Sequence, residues 1–106
     1  MDKVYITGHI PPNEAMIEWG LRYNALIDRY SYTIRGQFYG HTHNDHLAFF
    51  TAINDTKQSI INTYFVAPSL TTYSYKNPRY RIMKVDLDTM RILDYDQFAY
   101  LFNNLD

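Results

Sequence analysis

Apolar positions alternate with polar ones around Val4 and Ile6, so residues 3–7 read as a short strand. Gly8-His9 ends it, and Pro11-Pro12 blocks any continuation of a ladder or a helix interior. Asn13 then offers a helix N-cap. From there Met16, Trp19, Tyr23, Leu26 and Tyr30 recur at spacings of three and four, which predicts one long helix over residues 13–32 with a single apolar stripe. Residues 37–39 read as a brief strand ending at Gly40-His41. Residues 47–53 and 60–67 are apolar on both faces, the pattern of strands buried between layers, with turn chemistry at Asn54-Asp55-Thr56-Lys57 between them. Pro68 closes the second run. Residues 73–78 form a polar, aromatic loop, and residues 79–86 and 90–95 predict a hairpin around Leu87-Asp88-Thr89. The stretch 97–101 is apolar and fits strand or helix equally well.

The predicted order is strand, helix, strand, then a run of strands, which is half of a layered α/β design. At 106 residues, 46% hydrophobic and 20% charged, the chain has the composition of one globular unit or a piece of a larger one. A net charge of −1 gives no reason to expect nucleic acid as a partner. Lys76, Arg79, Arg81 and Lys84 lie near tyrosines, but read more simply as a solvated strand face. There is no cysteine, so neither disulfide nor thiolate chemistry is available. No stretch reaches the length of a transmembrane helix, and the opening residues lead straight into a strand with no signal-peptide pattern. The eleven tyrosines are scattered along the chain and fit strand and interface packing.

The histidines carry the candidate chemistry. His9 and His41 each follow a glycine directly after an apolar strand, and strand ends are where layered α/β proteins build sites. A glycine at that point lets the backbone turn and approach a ligand closely. His43 stands two residues beyond His41, so in an extended stretch the two imidazoles point the same way. A lone strand-end histidine is usually a hydrogen-bonded surface residue. The repetition of Gly8-His9 and Gly40-His41-Thr42-His43 favours a metal instead, one ion or two held close together. His46 fits no such pattern and reads as a surface histidine.

The Gly-His-x-His block, preceded by an isolated Gly-His, resembles the last metal motifs of the calcineurin-like metallophosphoesterases. Gly8-His9-Ile10-Pro11-Pro12, Gln37-Phe38-Tyr39-Gly40-His41-Thr42-His43, Ala67-Pro68-Ser69-Leu70-Thr71-Thr72-Tyr73 and Asn77-Pro78-Arg79-Tyr80-Arg81 are similar, in order, to consecutive blocks of acid sphingomyelinase and its phosphodiesterase-like relatives. The resemblance implies that residues 1–106 are the carboxy-terminal half of a layered α/β/β/α metallophosphoesterase sandwich, with one long helix and about six strands. It implies zinc as the cofactor, two per complete site, with His9 and His41 on one ion and His43 on the other; neutral imidazoles suit zinc on their own chemistry. It places Tyr73 on a loop facing the substrate, with Asn77 and Pro78 shaping that loop.

Departures from the pattern shape the functional expectation. Arg79 stands where acid sphingomyelinase has glycine, which bears on headgroup preference. The cysteine that the family carries shortly after Pro-Pro is absent from Asn13-Glu14-Ala15. The family's Asp-x-His, Gly-Asp and Asn-His motifs occur nowhere in the chain, so no catalytic residue is assigned here and the general acid is expected in a missing amino-terminal half. By resemblance, the complete protein hydrolyses a phosphodiester or sphingolipid, sphingomyelin to ceramide and phosphocholine, is secreted or lysosomal, and can meet a membrane lipid surface. The sequon Asn54-Asp55-Thr56 adds a weak signal for secretion. The alternatives are a relative acting on nucleotides or other small diesters, and a truncated product without catalysis.

Overall fold

The computed structural model describes residues 2–102. Six strands and one α-helix follow the order β1 (Val4–Thr7), a 3₁₀ turn (Pro12–Glu14), α1 (Ile17–Arg29), β2 (Ile34–Tyr39), β3 (His46–Thr51), β4 (Ile60–Val66), β5 (Arg79–Val85) and β6 (Ile92–Ala99). The first four strands form one sheet in the order β1-β2-β4-β3, and β5 and β6 form a separate antiparallel hairpin. β1, β2 and β4 run parallel, while β3 pairs antiparallel with β4 at the edge. Parallel neighbours need a long crossover; α1 supplies the one between β1 and β2.

The helix and the hairpin take opposite faces of the four-stranded sheet. On the helix face, Ile27, Ile34, Tyr39, Phe50, Tyr64 and Val66 make the core, with Tyr23 and Ile6 packed against it. The alternate residues of β2 and β4 face the hairpin: Phe38 stacks on Phe65, and Phe65 meets the edge of Tyr95. A Cβ at Gly36 would lie 2.5 Å from Cδ1 of Ile92, so the hairpin sits directly on β2 there. Tyr5 Oη donates to the carbonyl of Met90 at 2.6 Å and ties β1 to the same hairpin.

This is an α/β arrangement of one helix and six strands, as the sequence predicts, with differences in its elements. The helix runs for 13 residues, not the predicted 20, because the Pro11-Pro12 break is followed by a 3₁₀ turn and extended residues at Ala15 and Met16. Asn13 is not its N-cap; its Oδ1 accepts from Tyr64 Oη at 3.2 Å, and the cap position is Met16. The face turned inward carries Tyr23 and Ile27, whereas Met16, Trp19, Leu26 and Tyr30 of the expected stripe stay exposed. β2 begins three residues earlier than predicted, and the ambiguous stretch after residue 96 completes β6 as far as Ala99. β3 is not buried on both faces. It is an edge strand that buries Phe50 and leaves Leu47 and Phe49 42% and 53% exposed. Among the described residues, no helix is long and apolar enough to cross a membrane.

Candidate metal centre

His9 follows the end of β1, and His41 follows the end of β2, its parallel neighbour. Gly8 N donates to Phe38 O and Gly40 N to His9 O, both at 3.0 Å, so the two Gly-His segments stay laced together past the strands. The side chains meet as a result. His9 Nε2 lies 3.2 Å from His41 Nδ1, with the rings edge to face at 5.1 Å between centroids. Both residues are exposed.

The glycines act differently from the sequence reading. Neither has a positive φ. At Gly8 a Cβ would come within 2.8 Å of the Tyr39 ring, so the ring's close approach demands glycine, whereas at Gly40 nothing comes nearer than His9 Nδ1 at 4.0 Å. The turn is taken by the histidines themselves, with φ of 72° at His41 and 58° at His43. That left-handed conformation is uncommon for residues with a Cβ, and such strain gathers at functional sites.

The segment is therefore not extended, and the extended geometry on which His41 and His43 are expected to point the same way is absent. His41 turns to His9. His43 packs edge to face on Tyr73 at 5.8 Å between centroids. Among the described residues, no three side chains of the histidine, cysteine, aspartate and glutamate types converge as a metal-holding group. His46 opens β3 half-buried with Nε2 enclosed and unpartnered, so it is not the surface histidine the sequence suggested.

A cleft of about 350 Å³ lies beside the pair, lined by His41, His43, Asn44, Tyr73, Ser74 and Lys76. Tyr73 is 73% exposed at its rim. Ser74 and Tyr75 also have positive φ, at 63° and 58°, so both walls of the cleft hold left-handed residues without glycine. Asn77 is only 2% exposed, and its Oδ1 accepts from Phe102 N at 2.8 Å; it braces the loop from below and does not open into the cleft. Arg79 begins β5, where its N donates to Ser69 O at 2.8 Å and holds the two ends of the loop together.

Two features escaped the sequence reading. Lys76 brings a cation to the cleft. Arg81 has a side chain only 7% exposed, hydrogen-bonded to Asp45 just after the histidine segment, so it is no part of a solvated strand face. Burial lowers its pKa from the ordinary guanidinium value, with the electron-rich Tyr95 beside it acting in the opposite direction.

The separation of the two ring nitrogens, which also permits a direct hydrogen bond between the imidazoles, is compatible with two ligands of one zinc ion. Two nitrogen ligands at about 2.0–2.1 Å and a tetrahedral angle stand about 3.3–3.4 Å apart, close to the observed separation. Two imidazoles are half of a usual tetrahedral set.

No protein-family model matches the chain. It is similar to sphingomyelin phosphodiesterase of Bos taurus, with 42% identity over 85 residues, which is 80% of this chain and 13% of that protein. It is 35% identical over 101 residues to sphingomyelin phosphodiesterase 1 of Caenorhabditis elegans, covering 92% of this chain and 18% of the relative. It is also 36% identical over 112 residues to the human cyclic GMP-AMP phosphodiesterase SMPDL3A, covering 92% and 24%. The chain thus spans under a quarter of the length of each of these relatives. Over the segment that it spans, the chain is homologous to the acid sphingomyelinase-like phosphodiesterases.

Proposed function

We propose that this chain is the carboxy-terminal half of the catalytic domain of a zinc-dependent phosphodiesterase that cleaves sphingomyelin to ceramide and phosphocholine. The observation that carries the reading is the pair of ring nitrogens, His9 Nε2 and His41 Nδ1, held 3.2 Å apart at the ends of neighbouring parallel strands. Relatives named for sphingomyelin hydrolysis, at 34–42% identity, support the substrate. The whole protein would be secreted or lysosomal and would meet its lipid at a membrane surface.

In this reading His9 and His41 hold one zinc, and His43 serves a second ion together with ligands from the amino-terminal half. A binuclear zinc centre, when bound, would supply a more acidic water and electrostatic stabilisation of the phosphoryl oxygens. The chain's own residues shape the cleft: Tyr73 forms its outer rim, Lys76 favours an anionic group, and Asn77 keeps the loop closed beneath. Alone the chain lacks the remaining ligands and a general acid, and would be catalytically silent.

Calorimetric zinc titration of the chain tests the ligand pair. One site is expected, weakened at least tenfold in His9→Ala and in His41→Ala, since each variant removes half of the donors. Unchanged affinity in either variant would refute the pair. For the substrate, the domain completed with an amino-terminal half is assayed on sphingomyelin and on a cyclic dinucleotide. Preference for the dinucleotide would transfer the assignment to the nucleotide-cleaving branch.

A further inference from the structure

We infer that Arg81 positions the histidine segment, acting through Asp45, so that the hairpin β5–β6 holds the backbone on which His41 and His43 stand. The strand order β1-β2-β4-β3 requires the segment after β2 to cross the end of β4 before entering β3. At about 4.8 Å per strand spacing, that crossing covers roughly 10 Å. Residues 40–45 make it, with two left-handed histidines on the way.

Arg81 occupies the ground beneath the crossing. Its Nη2 donates to Asp45 Oδ1 on the far side, and its Nη1 to the carbonyl of Val66, the last residue of β4, at 3.3 Å. Next in the chain, Ala67 N donates to Tyr39 O at 2.8 Å, which fixes the near side just before Gly40. The guanidinium is itself immobilised, with Nε donating to Gln97 Oε1 at 2.7 Å and Cζ lying 4.6 Å from the centre of the Tyr95 ring.

Such a planar fork satisfies three acceptors at fixed angles, which a lysine ammonium on a flexible stem cannot do. A largely buried guanidinium also needs its counter-charge, and Asp45 provides it. The pair therefore pins residue 45. With Tyr39 pinned by Ala67 just past β4, the intervening backbone keeps the strained φ values that turn His41 toward His9. Neither residue touches the cleft, so both are positioning residues.

The test has a metal-free arm that does not depend on the zinc reading. Asp45→Asn, Arg81→Lys and a control, Lys84→Gln on the same strand, are compared with the wild-type chain by NMR. Expected in the first two is loss of the ring-to-ring contact between His9 and His41 and of the left-handed signature at His41, with the amide pattern of β1, β2 and β4 retained. The control should keep both. A zinc titration forms the second arm, which rests on the proposed metal site. There the first two variants should bind about tenfold more weakly or worse, the loss typical of outer-shell partners of metal ligands. Persistence of the His9–His41 contact in either folded variant overturns the proposal. So does collapse of the whole sheet in both, which would make Arg81 a general stability residue. A wild-type chain that binds no zinc while the metal-free arm behaves as described refutes the metal site and leaves the positioning role standing.

Discussion

Tyr23 on the helix donates through Oη to Oε1 of Gln37 in the middle of the sheet, at 2.8 Å, with Gln37 completely buried. Gln37 Nε2 continues to Asn62 Oδ1 at 2.8 Å, and Asn62 Nδ2 to the carbonyl of Ile34 at 2.9 Å. Tyr39 Oη reaches the same Gln37 oxygen at 3.0 Å. A polar thread thus joins helix, β2 and β4 inside an otherwise apolar core.

Cutting that thread at its centre should cost more than cutting it at its end. Gln37→Ala leaves Tyr23, Tyr39 and Asn62 short of a buried partner and should destabilise the chain by about 2–3 kcal/mol. Tyr23→Phe removes one hydroxyl while Tyr39 still serves Gln37, and should cost about 1 kcal/mol. Urea unfolding of the two variants measures the order.

The two Gly-His segments should respond unequally to a methyl group. Gly8→Ala drives a Cβ into the Tyr39 ring and should destabilise by about 1–3 kcal/mol. Gly40→Ala has neither a clash nor a positive φ to oppose it and should change stability by no more than about 0.5 kcal/mol. Thermal unfolding separates the two.

High pH should unfold the chain through its core tyrosines. Burial raises the pKa of Tyr23, Tyr39 and Tyr64 above the ordinary value of 10.0; at Tyr39 the neighbouring Tyr23 adds to the rise, and at Tyr64 the charge of Glu14 does. Above pH 10.0 the unfolded chain gives up these protons and the folded chain keeps them. The unfolded state then binds fewer protons, and stability falls as pH rises. Tyrosinate absorbance should show most tyrosines titrating gradually and a last fraction appearing only with the unfolding transition.

Acid should loosen the hairpin turn first. Asp86 Oδ1 accepts from Thr89 Oγ1 at 2.7 Å, Thr89 N at 2.6 Å and Asp88 N at 3.1 Å, and these bonds, led by the Thr89 hydroxyl, hold its carboxyl below the ordinary 3.8. A depressed folded pKa gives stability that is present above 3.8 and lost as pH falls through the folded value. Protection of the Thr89 amide, its exchange relative to the intrinsic rate at the same pH, should fall there, and in Asp86→Ala it should be low at every pH.

Period-two and period-three-to-four patterns made the element order legible, because Val4 and Ile6 alternate along one strand and the continuous apolar run into Val66 suits a strand covered on both faces. The helix start was not, since no side chain caps it and the 3₁₀ turn after Pro11 has no separate apolar signature. The buried helix face was misjudged because Ile27, the residue that enters the core, stands beside Leu26 and only the neighbouring layer decides between them. At the site, repetition of Gly-His at strand ends pointed to histidines gathered at one site, and the parallel pairing of β1 with β2 is what brings His9 and His41 together. The left-handed turns at His41 and His43 were hidden, because they follow from the crossing over β4 and from the Arg81–Asp45 tie, which are properties of strand order and of long-range contact.

Strand order also carries a temporal consequence. β3 and β4 are joined by residues 52–59 and pair antiparallel, so they can close as a local unit on the order of microseconds. The parallel joining of β4 to β2 spans a longer loop and comes later. Only at that docking is the chain between residues 40 and 45 held at both ends across the strand end. The His9–His41 contact is then expected among the last features of the sheet to form, so that in refolding its appearance would time the completed assembly.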